Sequence, residues 1–320
     1  MTKQTRRPKG QRAKVKAGDQ YSRVACDLDI LHYLAKYRYL RSPFLYSLCS
    51  RWSKAWVIER LAVLHKFKFI AVHDQLEDEY NLGWNYSLKW EITPKGYELL
   101  DEHVPQVTSL ERVRHDMPRV DHRHTMMICD TLASIEVGVQ QAGLKLITQE
   151  EIVAKSTAEY PMKLKATIRH KGHVHEDYLI PDAVFRIPYP DKGQWQFALE
   201  AQHKSPKNVT DLTRSSTIKK LLGFKDIDDR KGFKQLGRSK THILMVYPTE
   251  GRMKGAIELA EQLYGKSELF LFQVQHVPRH AYNCPKPRPE LYSGVWYRAG
   301  LDPIALKDLP YEHDTIKEDQ

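Results

Sequence analysis

The stretch PDAVFRIPYPDKGQWQFALEAQHK, residues 181–204, constrains the fold more than any other part of the chain. Two apolar runs of period 2 flank a turn signal at Asp191-Lys192-Gly193, and this predicts an antiparallel hairpin. In the second strand Trp195, Phe197, Leu199 and Ala201 share one face, while Gln196, Ala198, Glu200, Gln202 and Lys204 share the other. Closure about Asp191 sets Asp182 opposite Glu200, to within one residue. Two carboxylates ~5 Å apart at an effective dielectric of ~20 repel by roughly 3 kcal/mol. Like charges directly opposed in a sheet weaken it for the same reason. A divalent cation removes the cost. Mg²⁺ takes one or two carboxylates and keeps waters and substrate phosphates in its other positions, and an ion so held can polarise a phosphate and turn bound water into hydroxide. The other reading is a shifted register in which each acid pairs with a nearby lysine. The two differ in consequence: removing one acid from a metal site leaves the metal-free fold no less stable, and removing one from an ion pair destabilises it.

Charge points to the ligand class. The chain of 320 residues has a net charge of +10, unevenly distributed. Residues 1–20 carry seven Lys/Arg, Arg6 and Arg7 among them, against one Asp, and the last twenty carry two Lys against six acids. Eleven basic residues face four acids in 203–240, directly after the paired carboxylates. That concentration, which includes Lys219 and Lys220, argues for a polyanion beside the site, with double-stranded DNA as the expected partner. No run of eighteen apolar residues occurs and no apolar stretch follows the basic N-terminus, so neither a membrane span nor a secretory signal is expected. The four cysteines, Cys26, Cys49, Cys129 and Cys284, show no C-x-x-C spacing; reduced thiols in a cytosolic protein are expected, not a cysteine zinc site.

Five segments follow along the chain. Residues 1–20 have little to bury and read as a disordered basic arm. Residues 21–103 give a helix over 27–40, then SPFLYSLCS with Ser42 as N-cap and Pro43 at N1. A third helix follows, capped by Ser53, with Val57, Leu61 and Leu64 on one stripe. A strand begins near Phe69, YSLKWEIT is its partner, and TPKGYELLDEH is a last helix. Residues 104–120 read as a linker. Residues 121–275 begin with a long helix bearing Ile128, Leu132, Ile135 and Val139 on one stripe and Gly143 as its stop. A strand LKLIT, a hairpin turning at Lys171-Gly172, the 181–204 hairpin and a basic helix near 211–223 come next. Strand 241–248, helix 251–265 and strand 268–274 complete an α/β sandwich with a mixed sheet. Residues 276–320, proline-rich and ending acidic, read as an extension that packs on the body or carries a protein partner.

Helix, helix-turn-helix, two strands and the T-x-K-G helix start resemble a winged-helix domain. In such a domain the third helix enters the major groove and presents Arg51, Lys54 and Arg60. The loop between its strands carries Asp74, Glu77, Asp78 and Glu79, which disagrees with a wing lying on phosphates. The later order of helix, strand ending in Glu150 and Glu151, PD at 181–182, LEAQ at 199–202 and a helix resembles the PD-(D/E)xK nuclease superfamily over about residues 121–275. With a winged helix in front, the layout is most similar to the replication-relaxation family and its MOB-C relaxase relatives. The resemblance implies α+β and α/β architecture, a winged helix-turn-helix domain followed by an αβββαβ restriction-endonuclease-like sandwich.

It further implies a Mg²⁺ or Mn²⁺ ion held by Asp182, Glu200 and the Ala201 carbonyl, with Glu150 or Glu151 supporting a water. Gln202 stands where the pattern has lysine, and Lys204, ~6.8 Å along the same face, is the expected substitute. The function so implied is metal-dependent DNA nicking or cleavage in replication or mobilisation of a mobile element, with other replication or mobilisation proteins as partners of the C-terminal extension.

Two alternatives stand beside it. HVH at 173–175 with YPMK at 160–163 is similar to the histidine-dyad nickases that use a tyrosine nucleophile, although here Tyr160 precedes the dyad. Gln202 and the acidic loop suit a DNA-binding regulator whose nuclease domain is degenerate.

Overall fold

A computed structural model describes residues 19–72, 88–103, 122–202, 216–275 and 285–310. The chain divides into two compact units, residues 1–117 with 280–285 and residues 118–279 with 286–320. The fold is mixed α+β, and its largest sheet has six strands of mixed direction. The basic arm with Arg6 and Arg7, the four acids of the 73–87 segment, the linker, Lys204, Cys284 and residues 311–320 lie outside the described residues. Cys26, Cys49 and Cys129 are buried free thiols, as expected.

In the first unit, helices α1 (Ala25–Tyr37), α2 (Ser42–Leu48) and α3 (Lys54–Lys66) pack beside a small antiparallel sheet. Its strand order is β1 (Leu40–Arg41), β3 (Lys89–Ile92), β2 (Ile70–Val72), and helix α4 (Pro94–Asp101) follows. Local chemistry sets these boundaries. The Ser53 hydroxyl caps α3 by accepting from the Trp56 amide, and Val57, Leu61 and Leu64 are buried. Ser42 opens α2 from inside the first turn, with Arg41 at the cap, and its hydroxyl accepts from the Trp90 indole at 2.9 Å. Thr93 caps α4 through the Gly96 amide and donates its hydroxyl to the Lys68 carbonyl at 2.7 Å. A Cβ at Gly96 would collide with the Phe69 carbonyl, so the T-x-K-G sequence fastens α4 to the start of β2.

Two of the three basic residues assigned to the third helix are engaged within the unit. Arg51 precedes α3 and forks onto Asp29, with both bonds at 2.6 Å. Arg60 is 7 % exposed and cannot reach a groove. Its guanidinium donates to both Asp27 oxygens, at 2.8 and 2.7 Å, and to the Ser22 carbonyl. Asp27 also accepts from the Tyr21 hydroxyl, so the pair ties α3, α1 and the segment before α1 together. Lys54 alone of the three is exposed without an ion pair among the described residues, its ammonium 5.5 Å from the Tyr46 ring.

The second unit is a three-layer sandwich around the sheet β11-β10-β9-β8-β7-β6. Edge strand β6 (Ala183–Tyr189) is followed in the sheet by β7 (Gly193–Ala201), β8 (His242–Tyr247) and β9 (Phe270–Val274). β6 and β7 form the expected hairpin, with Tyr189 opposite Gly193 and Ala183 opposite Leu199; β7, β8 and β9 are parallel. The alternation in β7 sorts as read. Trp195, Phe197, Leu199 and Ala201 join the core beneath helix α5 (His122–Gln141), where Met127, Ile135 and Val139 are buried. Ala198 faces the other layer, made by α7 (Thr217–Asp229), α8 (Glu250–Tyr264) and the separate hairpin of β4 (Leu164–His170) and β5 (His173–Leu179). That hairpin turns at Lys171-Gly172, both with positive φ, as expected.

Two expectations are corrected. Residues 144–148 form no full strand; Ile147 makes a single antiparallel bridge to Arg186, and Glu150 and Glu151 lie in the short helix α6 (Gln149–Val153). Ser42, expected as the cap of α2, is its first residue. The basic helix runs from Thr217, where Ser216 caps it, and residues 211–215 lie outside the described residues. Of the two readings of the C-terminal extension, residues 285–310 fit packing on the body: β10 (Val295–Arg298) and β11 (Leu301–Ala305) extend the sheet beside α9 (Glu290–Ser293), with Trp296 fully buried.

Arg60→Ala leaves Asp27 buried without its cation, so urea unfolding of the full chain should show a loss of about 3–5 kcal/mol. Lys54→Ala should leave the same curve unmoved.

His242 gives a pH test of the second unit. Its Nδ1 lies 3.0 Å from the Glu268 carbonyl, while Nε2 is buried without a partner among the described residues, beneath the Trp195 ring. Burial holds this imidazole down to about 4, against ~6.5 when unfolded. The unfolded chain therefore binds the proton first. Stability from this group is full above about pH 6.5 and is lost as pH falls toward 4. His242→Gln should flatten that part of the thermal stability profile.

Candidate active site

Asp182, Glu200 and Gln202 meet at the end of the sheet where the parallel strands β7, β8 and β9 finish, the end at which open α/β sheets bind ligands. The hairpin register ends with Ala183 against Leu199, immediately before Asp182 on one strand and Glu200 on the other. The Asp182 amide donates to the Leu199 carbonyl at 3.0 Å, so the hairpin stays closed up to the carboxylates. Asp182 Oδ2 accepts from the Ala201 amide at 2.8 Å, which fixes the side chain over the strand end.

Glu200 is 1 % exposed. The Lys220 ammonium, from the first turn of α7, bonds Glu200 Oε2 directly. Burial pushes the Glu200 carboxyl above its ordinary range, and the neighbouring ammonium pulls it back. Lys220 stays charged, because Glu200 and Asp182 together outweigh its own burial. The polyanion-facing role read for Lys220 is thus corrected to an inward one. Lys219 points to the β4–β5 hairpin, where its ammonium pairs with Asp177 at 2.5 Å.

His124, near the start of α5, supplies a group not anticipated from the sequence. Its Nε2 lies 3.2 Å from Asp182 Oδ2 and 2.9 Å from the Ala201 carbonyl oxygen. The Asp182 carboxylate beside it raises the imidazole's pKa above the ordinary value, more than burial lowers it. Both acids therefore have a partner in this structure, the Lys220 ammonium on Glu200 and the His124 imidazole on Asp182.

Gln202 occupies the position where the pattern has lysine. Its amide donates to the Val246 carbonyl at 2.8 Å, and its side-chain nitrogen is buried with no hydrogen-bond partner among the described residues. A buried donor in that condition is costly unless something binds it.

Other proposed residues have local roles. Glu151 closes a capping box with Thr148, accepting from the Thr148 amide at 2.8 Å. Glu150 is partly buried one residue earlier on α6. In the rival constellation, Tyr160 is 58 % exposed under the Lys163 ammonium, and His175 lies 3.7 Å from Asp177. His173 faces His170 across the hairpin turn. Among the described residues, no three His, Cys, Asp or Glu side chains close on one point as a metal cluster; the donors around Asp182 include a backbone carbonyl.

The unforeseen His124 had a signal in the sequence, and so did the inward placement of Lys219 and Lys220. His124 precedes Ile128 by one turn on the stripe 128–132–135–139, so a helix docking that stripe carries His124 to the sheet. Lys219 and Lys220 sit inside the apolar pattern Ile218, Leu221, Phe224, where solvent cannot take both side chains. Comparison with protein-family profiles, curated proteins and solved structures finds no match.

The Glu200–Lys220 contact makes a structural prediction opposite to the metal-only expectation. Glu200→Gln or Lys220→Met alone should cost about 3–5 kcal/mol in the metal-free protein, since each leaves a buried charge unpaired. The double variant should recover a large part of that loss in a thermodynamic cycle. Additive losses would mean that the two side chains do not interact in solution.

Proposed function

We propose that the second unit is a divalent-metal-dependent DNA endonuclease or nickase of restriction-endonuclease-like architecture. The first unit is then its winged-helix DNA-binding module, and the chain serves replication or transfer of a mobile element. The observation that carries this reading is the meeting of Asp182, Glu200 and Lys220 at one strand end. Two carboxylates and a lysine there reproduce the chemistry of the resembled motif, with the lysine supplied by α7 instead of the strand.

The donors suit Mg²⁺ or Mn²⁺. Asp182, the Ala201 carbonyl and the Glu200 oxygen that Lys220 does not hold are hard oxygen ligands. When bound, the ion polarises a phosphodiester and lowers the pKa of a water. Lys220 pulls back the Glu200 carboxyl that burial raises and sets an ammonium beside the reacting phosphate. Gln202 offers its side-chain N–H₂, unpartnered among the described residues, to a phosphate oxygen or to the attacking water. Glu150, on α6, is close in sequence to the bridge that seats β6 and is the acid that would support that water; Glu151 is committed to the helix cap.

The order α1, α2, α3, β2, β3 supports the winged-helix reading of the first unit. Lys54 at the exposed start of α3 is its candidate base-reading cation. Arg51 contributes once DNA competes with Asp29, and Arg60 holds the helix.

A second reading is favoured by a specific observation. Each acid already has a side-chain partner, the His124 imidazole for Asp182 and the Lys220 ammonium for Glu200. A regulator with a degenerate nuclease unit would have the same pairs and no need of metal. Incubation with supercoiled plasmid carrying the native locus and Mn²⁺ separates the two. The nuclease should convert it to open-circular or linear DNA. Asp182→Asn should slow this by about 10²-fold or more, and Tyr160→Phe should leave it unchanged. Intact plasmid, with no rise in Tm on adding Mn²⁺ or Mg²⁺, would identify the regulator. Loss of nicking in Tyr160→Phe would identify the histidine-dyad rival.

A further inference from the structure

We infer that His124 is a nitrogen ligand of the bound ion, which makes the centre a mixed nitrogen–oxygen site suited to Mn²⁺, Fe²⁺ or Co²⁺ over Mg²⁺. The inference rests on the metal-dependent reading above and specifies its ion. In an octahedral site with bonds of ~2.1 Å, neighbouring donor atoms are about 3.0 Å apart. His124 Nε2 lies 3.2 Å from Asp182 Oδ2 and 2.9 Å from the Ala201 carbonyl oxygen. Both distances from Nε2 match the edges expected between donors that share one ion. The contact is held by rigid elements on both sides. His124 is on a 20-residue helix whose stripe is buried against the sheet, and Asp182 is pinned by the Ala201 amide.

A second observation points to a ligand at the same strand end. The Gln202 side-chain nitrogen, on a residue 9 % exposed, has no partner among the described residues. Water or phosphate in the remaining coordination positions would satisfy it. Lys220 already engages Glu200, so Asp182 is the carboxylate fully committed to the ion. One carboxylate, one carbonyl and one imidazole form a set that binds first-row transition ions more tightly than Mg²⁺, whose preferred ligands are all oxygen.

Pulsed EPR of the full chain loaded with Mn²⁺ alone tests this. Wild-type protein should show the ¹⁴N modulation of a directly bound imidazole, and labelling with ¹⁵N-histidine should remove it. His124→Gln should abolish the signal and weaken Mn²⁺ binding about tenfold or more, and Asp182→Asn should abolish binding at this site. Bound Mn²⁺ that is lost in Asp182→Asn but shows only water-proton modulation overturns the inference and leaves the metal-dependent reading standing. A ¹⁴N signal that persists in His124→Gln also overturns it. Failure of the wild type to retain Mn²⁺ at all overturns both. Should the His124 variant not fold, the isotope comparison on wild-type protein decides alone.

Discussion

Burial of the polar face of β7 is the constraint on which the second unit depends. The strand has a neighbour on each edge and a helical layer on each face, so Gln196, Glu200 and Gln202 lie inside the protein. Unpaired, each would cost more than an average contact returns. The surrounding sequence answers the first two one by one. Gln196 accepts from Arg186 and donates to Thr241, and Glu200 takes the ammonium of Lys220. Gln202 is satisfied at its backbone amide, and its side-chain nitrogen has no partner among the described residues. The exception falls at the strand end, where a ligand can enter, and not in the middle of the sheet. That is the pattern expected where local consistency yields to function.

The hairpin was legible because register is over-determined. Period-2 alternation on both strands, a turn that closes about one residue and a glycine with positive φ leave one pairing. The cap at Ser53 was legible for a similar reason, since it acts within four residues of itself, whereas Ser42 sits one residue inside α2 and bonds Trp90 instead. Contacts set by packing were not. Arg60 looked like an exposed cation of α3, yet the stripe that buries Val57, Leu61 and Leu64 brings Arg60 inward with them, where Asp27 waits on α1. Residues 285–310 hide two strands because prolines and a four-residue helix interrupt any period long enough to read. Glu150 and Glu151 were taken for the end of a strand when T-Q-E-E is equally the opening of a capping box.

In the candidate site the carboxylates were legible and their partners were not. The opposition of Asp182 and Glu200 follows from one hairpin. The positions of His124 and Lys220 depend on how α5 and α7 dock on opposite layers, 58 and 20 residues away from their acids. The periodicity of each helix says that an inward side chain exists but does not say which strand residue it meets. Sequence reading therefore recovered the repelling pair and missed its two side-chain partners.

Those partners change the energetics of the site. Two bare carboxylates would favour any divalent ion by relieving a clash of roughly 3 kcal/mol. With Lys220 on Glu200 and His124 hydrogen-bonded to Asp182, both carboxylates already have partners in the metal-free protein, so an ion must displace or share one to bind. The two pairs are not equivalent in this respect. Lys220 is an acceptor-free ammonium and can only step aside or remain as a neighbour. His124 could exchange a proton on Nε2 for the ion and keep its position. Displacement thus costs less on the Asp182 side than on the Glu200 side. In the proposed nuclease Asp182, the Ala201 carbonyl and His124 would hold the ion, with the Glu200 oxygen that Lys220 leaves free as a further ligand.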